Sequence, residues 1–390
     1  MHILFVADGR SPITRQWLKT LQPLGWQLSL ISTFPCGPID GATVVAVLPV
    51  AFARHAGSQA GGTAPAGEHK GLASRIRPLA QKLRHALGPW TLLLYTRRYR
   101  QLVTDLHPDL VHALRIPFEG MLASDTPAGI PFIVSTWCND LTLHAPASAR
   151  MSALTRKTLR RADALISDTR RDARLVQAWG FNPTKPVLVG PGNGGLDLAE
   201  MRKSVTGIVR ADPPQIIDPR GLRSYIRTDI FFQAIPLVLA KYPNVRFVCT
   251  SMQGQKEALD CVEKLGIARN VTLLPLLSQE QLWQEFARST LSVSLSTHDG
   301  TPNTLLEAMA LGCLPVCGDI ESICEWITPG KNGLLVDPTD AQALADAILQ
   351  GLENVQLQKA AAVTNQKLIA EKAGLETTHT QIVDFYRLSQ

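Results

Sequence analysis

Two doubly wound parallel sheets, covered by helices and followed by a C-terminal helix, are the α/β architecture that this sequence of 390 residues predicts. Three observations predict it. Short apolar runs alternate with amphipathic helical patterns, which is the βα rhythm of parallel sheets. The rhythm pauses at a Gly-rich turn, "PVLVGPGNGGLD" (186–197), and then starts again. The apolar fraction is 45%, ordinary for a globular chain, and no apolar run reaches the ~20 residues that span a bilayer.

The elements follow in order. "ILFVA" (3–7) is a first strand, "DGRSP" a turn, and a helix is expected near 12–23. "MHILFVADGR" has no basic stretch ahead of its short apolar run, so it reads as a strand and not as a signal peptide. "WQLSLIS" and "TVVAVLP" supply two more strands. Residues 52–69, rich in Gly, Ala and Ser, read as a mobile loop. Two basic helical segments are expected near 71–86 and 90–106, and βα units then run through "DLVHAL", "PFIVSTW" and "ADALISD". The second series passes through "PQIID", "VRFVCT", "VTLLP", "LSVSLS" and "LPVCG". The stretch 354–388 reads as a polar surface helix pair. The expected division is 1–187, 188–370 and a terminal helix over 371–390.

Charge and cysteine content narrow the function. The net charge of +6 is uneven: residues 1–195 carry 22 Lys/Arg against 11 Asp/Glu, and the rest carries 17 against 22. From Lys70 to Arg100 there are eight Lys/Arg and no acid. That asymmetry points to a polyanion or an anionic membrane surface. Aromatics do not interleave with the basic residues, so nucleic acid is not the expected partner. Seven scattered cysteines form no C-x-x-C pair and no zinc set. No metal site is expected. Gly190, Gly192 and Gly195 match G-x-G-x-x-G, but Pro191 removes one amide and no helix opens at once. An interdomain turn is the expected reading.

"GTPNTLLEAMALGC" (300–313) carries the chemistry. Thr301 and Pro302 form a helix start, a hydroxyl cap followed by proline at the first helical position. The amides of Asn303, Thr304 and Leu305 are then unpaired, and with the helix dipole they make an anion site. Gly300 lets the backbone come close. Glu307, the only charge between Thr301 and Cys313, lies one turn above Asn303 on the same face. A carboxylate there suits a vicinal diol such as ribose. Asp299 would project past the helix start. A capped helix with Glu307 in a salt bridge is the competing reading, and these residues alone leave both open.

The spacing D-x7-E from Asp299 to Glu307, inside "STHDGTPNTLLEAMALGCLPV" and followed by "GDIESICEWITPGKNGLLVDPTDAQALADAI", closely resembles the E-x7-E region of retaining GT-B glycosyltransferases of family 4. The resemblance implies two facing Rossmann-like domains, with a nucleotide-sugar donor on the C-terminal one, an acceptor on the N-terminal one, and a last helix that crosses back. It implies that Glu307 holds the ribose hydroxyls and that Asp299, one methylene shorter than the usual glutamate, contacts the donor sugar. The family's basic pair against the diphosphate matches Arg220 and Arg227 in "DPRGLRSYIRTD", with Arg223 merely exposed. Arginine forks suit phosphate at least as well as lysine does. Where the family often has a histidine beside the reacting sugar, "WCND" places Trp137, leaving Asn139 and Asp140 as polar candidates. Gly9 and Arg10 on the first turn, and His112 at the end of a strand, complete the acceptor side, where α/β ligands gather.

The expected activity is transfer of a sugar from a nucleoside diphosphate sugar to a hydroxyl, with the anomeric configuration kept and without a cofactor or metal. Arg220, Arg227 and the amides would stabilise the leaving diphosphate. The acceptor would be a lipid-linked saccharide or polysaccharide precursor. The chain would be cytoplasmic and would meet the inner face of the membrane through 70–100. A GT-B nucleotide-sugar epimerase and a non-catalytic nucleotide-binding protein docked on a membrane are the alternatives.

Overall fold

The computed structural model describes residues 1–53, 71–137 and 139–389, with side chains described throughout except over 71–82. The expected loop at 52–69 therefore lies, beyond Ala53, outside the described residues, as does Cys138 of "WCND". The chain forms two compact units, Met1–Gly195 with the segment from Leu375, and Leu196–Gly374. These boundaries fall a few residues beyond the expected 187 and 370.

The first unit comprises β1 (His2–Ala7), α1 (Pro12–Leu21), β2 (Gln27–Ser32), β3 (Thr43–Val47), α2 (Gly71–Leu106), β4 (Leu110–Ala113), α3 (Met121–Ala123), β5 (Phe132–Thr136), α4 (Ala149–Arg161), β6 (Ala164–Ser167), α5 (Arg170–Ala178) and β7 (Val187–Val189). Its strands pair in the order β3-β2-β1-β4-β5-β6-β7. All pairings are parallel, with Ile3 beside both Leu28 and Leu110. Burial on both faces explains why β1, β4 and β5 read as apolar runs without alternation.

The second unit comprises α6 (Leu198–Ser204), β8 (Gln215–Asp218), α7 (Thr228–Leu239), β9 (Arg246–Cys249), α8 (Lys256–Lys264), β10 (Val271–Leu273), α9 (Gln279–Arg288), β11 (Leu291–Ser294), α10 (Asn303–Ala310), β12 (Leu314–Gly318), α11 (Glu321–Cys324), β13 (Leu334–Val336), α12 (Ala341–Glu353) and α13 (Val355–Ala373). Its parallel sheet runs β10-β9-β8-β11-β12-β13. The strand order reverses between β8 and β11, so their C-terminal ends open the crevice where ligands of such sheets bind. The loops after these two strands carry Arg220 and Asp299.

Two expectations need correction. α2 is one helix of 36 residues, where two were expected. Pro78 and Pro89 do not break it. At the second of these, the Gly88 carbonyl accepts from Thr91 Oγ1 at 2.6 Å, and His85, Gly88, Leu92, Tyr99 and Val103 bury one continuous face. A Cβ on Gly88 would lie 3.1 Å from both Ala51 and the Phe118 ring, so the helix packs tightly there. The terminal helix pair is likewise packed into cores. α13 buries Leu357, Ala361, Asn365, Ile369 and Ala373, and the last helix, α14 (Leu375–Leu388), buries Ile382, Val383, Phe385 and Tyr386 within the first unit. No helix among the described residues is long and apolar enough to cross a membrane.

A buried polar chain fixes α14. Trp17 Nε1 donates to Tyr386 Oη at 2.9 Å, and His112 Nδ1 lies 2.6 Å from the same oxygen. Indole can only donate, so the tyrosine oxygen accepts from Trp17 and shares a further hydrogen bond with Nδ1. His112 Nε2 lies 2.8 Å from Ser135 Oγ and completes the chain. Tyr386→Phe would strand the indole N–H and Nδ1, at about 1–3 kcal/mol for each buried group left unpaired. Urea unfolding is expected to show a lower midpoint; an unchanged midpoint would refute this role.

The turn at 190–195 serves the same packing. Gly194 and Gly195 have φ of 83° and 111°. A Cβ on Gly195 would collide with Thr378 Oγ1 and lie 2.9 Å from Leu375 Cα, while Thr378 Oγ1 donates to the Gly194 carbonyl at 2.7 Å. Gly195, the last glycine of the imperfect dinucleotide motif, thus admits α14.

Candidate active site

α10 opens the site, but its start differs in detail from the expectation. Pro302 is the cap residue and supplies no side-chain bond. Thr301 Oγ1 accepts from Trp326 Nε1 at 3.0 Å and does not cap the helix. The Leu305 amide donates to the Pro302 carbonyl at 3.0 Å and is occupied. The Asn303 and Thr304 amides have no partner among the described residues. The donor pair at the helix start is therefore Asn303 and Thr304, one amide fewer than predicted. With the partial positive charge of the helix end they favour an anion.

Arg220 meets this helix start from the loop after β8. Its Nη2 lies 2.6 Å from Asp299 Oδ2 and its Nη1 lies 3.4 Å from Thr304 Oγ1. The backbone is set by Asp218, whose Oδ1 accepts from the Arg220 amide at 3.0 Å. Burial pushes the Asp218 carboxyl up to about 6.

Asp299 does not project past the helix. It is fully buried and, besides Arg220, accepts from Ser296 Oγ at 2.9 Å and from the Gly300 amide at 3.1 Å. Ser322 Oγ holds its carbonyl at 2.8 Å. A Cβ on Gly318 would sit 2.7 Å from the Ser296 carbonyl, so β12 presses the loop into place. The carboxylate is thus a fixed anchor for Arg220. Ser296 and Ser322, neither of them singled out by the sequence pattern, complete the anchor with the Gly300 amide.

Glu307 is 4% exposed. It makes no ion pair among the described residues, so the salt-bridge reading fails. Its Oε2 is buried without a hydrogen-bond partner, as is Trp283 Nε1. Burial pushes its carboxyl up to about 8, and Gln279 and Trp283 act against that rise. A buried carboxyl oxygen without a partner costs free energy, which fits a group that meets its partner in a ligand. Gln279 and Trp283 lie on α9, outside every motif in the sequence.

Arg227 is tied to the loop after β11 by its amide, which donates to the Leu295 carbonyl at 2.9 Å, while its guanidinium forks onto Asp229 at 2.9 and 2.7 Å on the surface. Arg223 bonds the Tyr225 hydroxyl at 3.0 Å. Asp229 sits in the first turn of α7, two residues after the arginine that it pairs with.

The acceptor candidates divide likewise. His112 is fully buried, both its ring nitrogens are bonded, and burial lowers it to about 3, so it is a neutral structural residue. The Gly9 amide donates to Ser32 Oγ at 3.1 Å, and a Cβ there would meet Cys36 Sγ at 2.6 Å. Gly9 therefore packs the turn and offers no free donor. Arg10 pairs with Asp8 at 3.1 Å and stacks over Phe34 at 3.8 Å. Asp140, also fully buried, accepts from Arg115 Nη2 at 2.5 Å and from the Ile116 amide at 3.1 Å. Only Asn139, with its buried Oδ1 unpartnered, keeps open capacity. The sequence missed Glu119. Burial pushes its carboxyl up to about 7, and Oε1 accepts from Thr33 Oγ1 at 3.0 Å.

Comparison with known proteins fits both units. The model for "Glycosyl transferases group 1" matches residues 221–354, and that for "Glycosyl transferase 4-like domain" matches 9–192. D-inositol 3-phosphate glycosyltransferase of Corynebacterium urealyticum is 29% identical over 40% of this chain and 39% of its own. GDP-mannose:cellobiosyl-diphosphopolyprenol alpha-mannosyltransferase of Xanthomonas campestris is 24% identical over 62% of this chain and 63% of its own. The chain spans between 19% and 63% of the length of the curated relatives it matches. Anabaena HepE, solved in complex with UDP and glucose, superposes with a TM-score of 0.70 at 16% identity over 99% of both chains, which shows a shared fold. Two parallel sheets of GT-B type, matched on one unit by the 4-like domain and on the other by the group 1 domain, place this chain in the group 1 glycosyl transferase family.

Proposed function

We propose that the protein transfers a sugar from a nucleoside diphosphate sugar to a hydroxyl of a lipid-linked saccharide, with the anomeric configuration kept. One observation carries this reading: Glu307, a buried carboxyl with no ion-pair partner among the described residues and with its Oε2 unbonded, lies one turn behind two open amides and an anchored arginine. The diphosphate would rest on the Asn303 and Thr304 amides and Arg220, and the ribose hydroxyls would pair with Glu307. The HepE complex with UDP and glucose supports the nucleotide class, and the diphosphopolyprenol in the Xanthomonas relative's name supports the acceptor class.

In the reaction, the bond from the anomeric carbon to the diphosphate oxygen breaks with its electron pair on the oxygen. The acceptor oxygen then bonds to the same face of the carbon, and its proton passes to the departing phosphate oxygen. Arg220 and the amides stabilise the growing negative charge. Preorganised donors of this kind are worth about 3–4 kcal/mol each when removed from an active site.

Thermal shift with UDP- and GDP-sugars tests the donor site. A matching nucleotide at a hundred times its dissociation constant adds about 2.7 kcal/mol. Proton NMR of the product from an α-linked donor should show an α linkage. A β product, or no shift with any nucleotide, would overturn the proposal.

A further inference from the structure

We infer that the outward face of α2 seats on an anionic lipid surface. Leu83, Leu87, Trp90 and Leu94 follow one another at i, i+4, i+7 and i+11, so they line one side of the helix. All four are exposed, Leu94 at 75% and Trp90 at 53%, and Leu93 beside them at 62%. The opposite side, from His85 through Leu92 and Tyr99 to Val103, is buried in the first unit. The apolar stripe is thus an addition to a helix that is already fully packed. Single exposed leucines are unremarkable, but a continuous stripe of this kind marks an interaction surface.

Charge selects the occupant. Arg97 and Arg98 are exposed at the C-terminal end of the stripe, and the Arg150 guanidinium stacks 3.8 Å over the Trp90 ring. The helix carries no acid before Asp105. Apolar side chains along the middle of one face, with cations at its edges, suit the boundary between headgroups and acyl chains, where tryptophan also partitions. A second copy of the chain would bring the same cations against one another. Residues 54–70 contain no Val, Leu, Ile, Met or aromatic residue, so their composition does not match the stripe either.

Flotation of the full chain with phosphatidylcholine vesicles, alone and mixed with phosphatidylglycerol, tests this without donor or acceptor, and so independently of transfer. Binding is expected to the mixed vesicles only, and to weaken as salt rises. The double change Leu87→Ser and Leu94→Ser leaves the packed face intact and should lower partitioning by about a hundredfold. Arg97→Glu with Arg98→Glu should lower it at least about tenfold. Circular dichroism confirms that both variants fold. Three results would overturn the inference: no binding to mixed vesicles at low salt, serine variants that bind like the parent, or a dimer in sedimentation that the serine changes convert to monomer.

Discussion

Glu307→Gln is expected to abolish nucleotide binding while making the ligand-free protein more stable. The folded carboxyl titrates near 8 and the same group at about 4.5 when solvated. Between these values the folded state holds a proton that the unfolded state has released. Stability from this group is therefore complete below about 4.5, and it is lost progressively as pH rises toward 8. At neutral pH the loss is on the order of 3 kcal/mol, taking 1.36 kcal/mol for each unit between the unfolded value and the ambient pH. Glutamine removes the slope, although its amide still needs partners in the same apolar pocket. A gain of about 1–3 kcal/mol at pH 7.5, shrinking to nothing below pH 4.5, is the expected result of unfolding titrations.

Binding moves the other way. A carboxylate that accepts both hydroxyls of a ribose makes charge-assisted bonds worth about 1.5–3 kcal/mol each. The nucleotide-dependent rise in melting temperature should vanish in Glu307→Gln. In the parent protein, affinity for UDP or GDP should increase with pH and level off above about 8, because the ionised form is the one that binds. A variant that is less stable without ligand, or one that keeps its nucleotide shift, would show that Glu307 is a structural group.

The features the sequence disclosed are local ones. Pro302 marks the start of α10, and the i+4 step from Asn303 puts Glu307 behind it, so both could be read from spacing alone. What the sequence hid depends on contacts between distant segments. Arg220 and Asp299 were each assigned to the donor, yet they bind one another across 79 positions because β8 and β11 are neighbours in the sheet. Trp283 and Gln279 reach Glu307 because α9 packs against α10. Thr301 had the composition of a cap and lost that role to Trp326, 25 positions away. His112 occupied a strand end where ligands gather, but Tyr386 returns from the far end of the chain to hold it. The sequence divided α2 between two segments, 71–86 and 90–106; Gly88 and Pro89 lie between them, and their helix propensity costs of about 1–3 kcal/mol are outweighed by the buried face of the single helix.

Arg220→Met should destabilise the second unit and stop transfer, and only the stability should return when Asp299→Asn is added. Arg220 and Asp299 are both buried, and a buried ion pair that loses one partner leaves an uncompensated charge at about 3–5 kcal/mol. With both charges gone that penalty disappears, because the asparagine Oδ1 can still accept from the Gly300 amide while its Nδ2 donates to Ser296 Oγ. Unfolding free energies of the two single variants and the double variant should therefore be strongly non-additive. Transfer should behave differently. Removing a preorganised cation from the leaving group costs about 10²–10³ in kcat, and the second substitution supplies no cation. Asp299→Asn alone keeps the guanidinium but loosens it, so it should lose less activity than Arg220→Met. If Asp299 instead touched the sugar directly, Asp299→Asn would lose as much as Arg220→Met. If Arg220 were only structural, the double variant would recover transfer together with stability. The two recoveries separate the anchor from the group it anchors: on the expected result Asp299, closed to solvent, acts through the position of Arg220, and Arg220 acts on the phosphate.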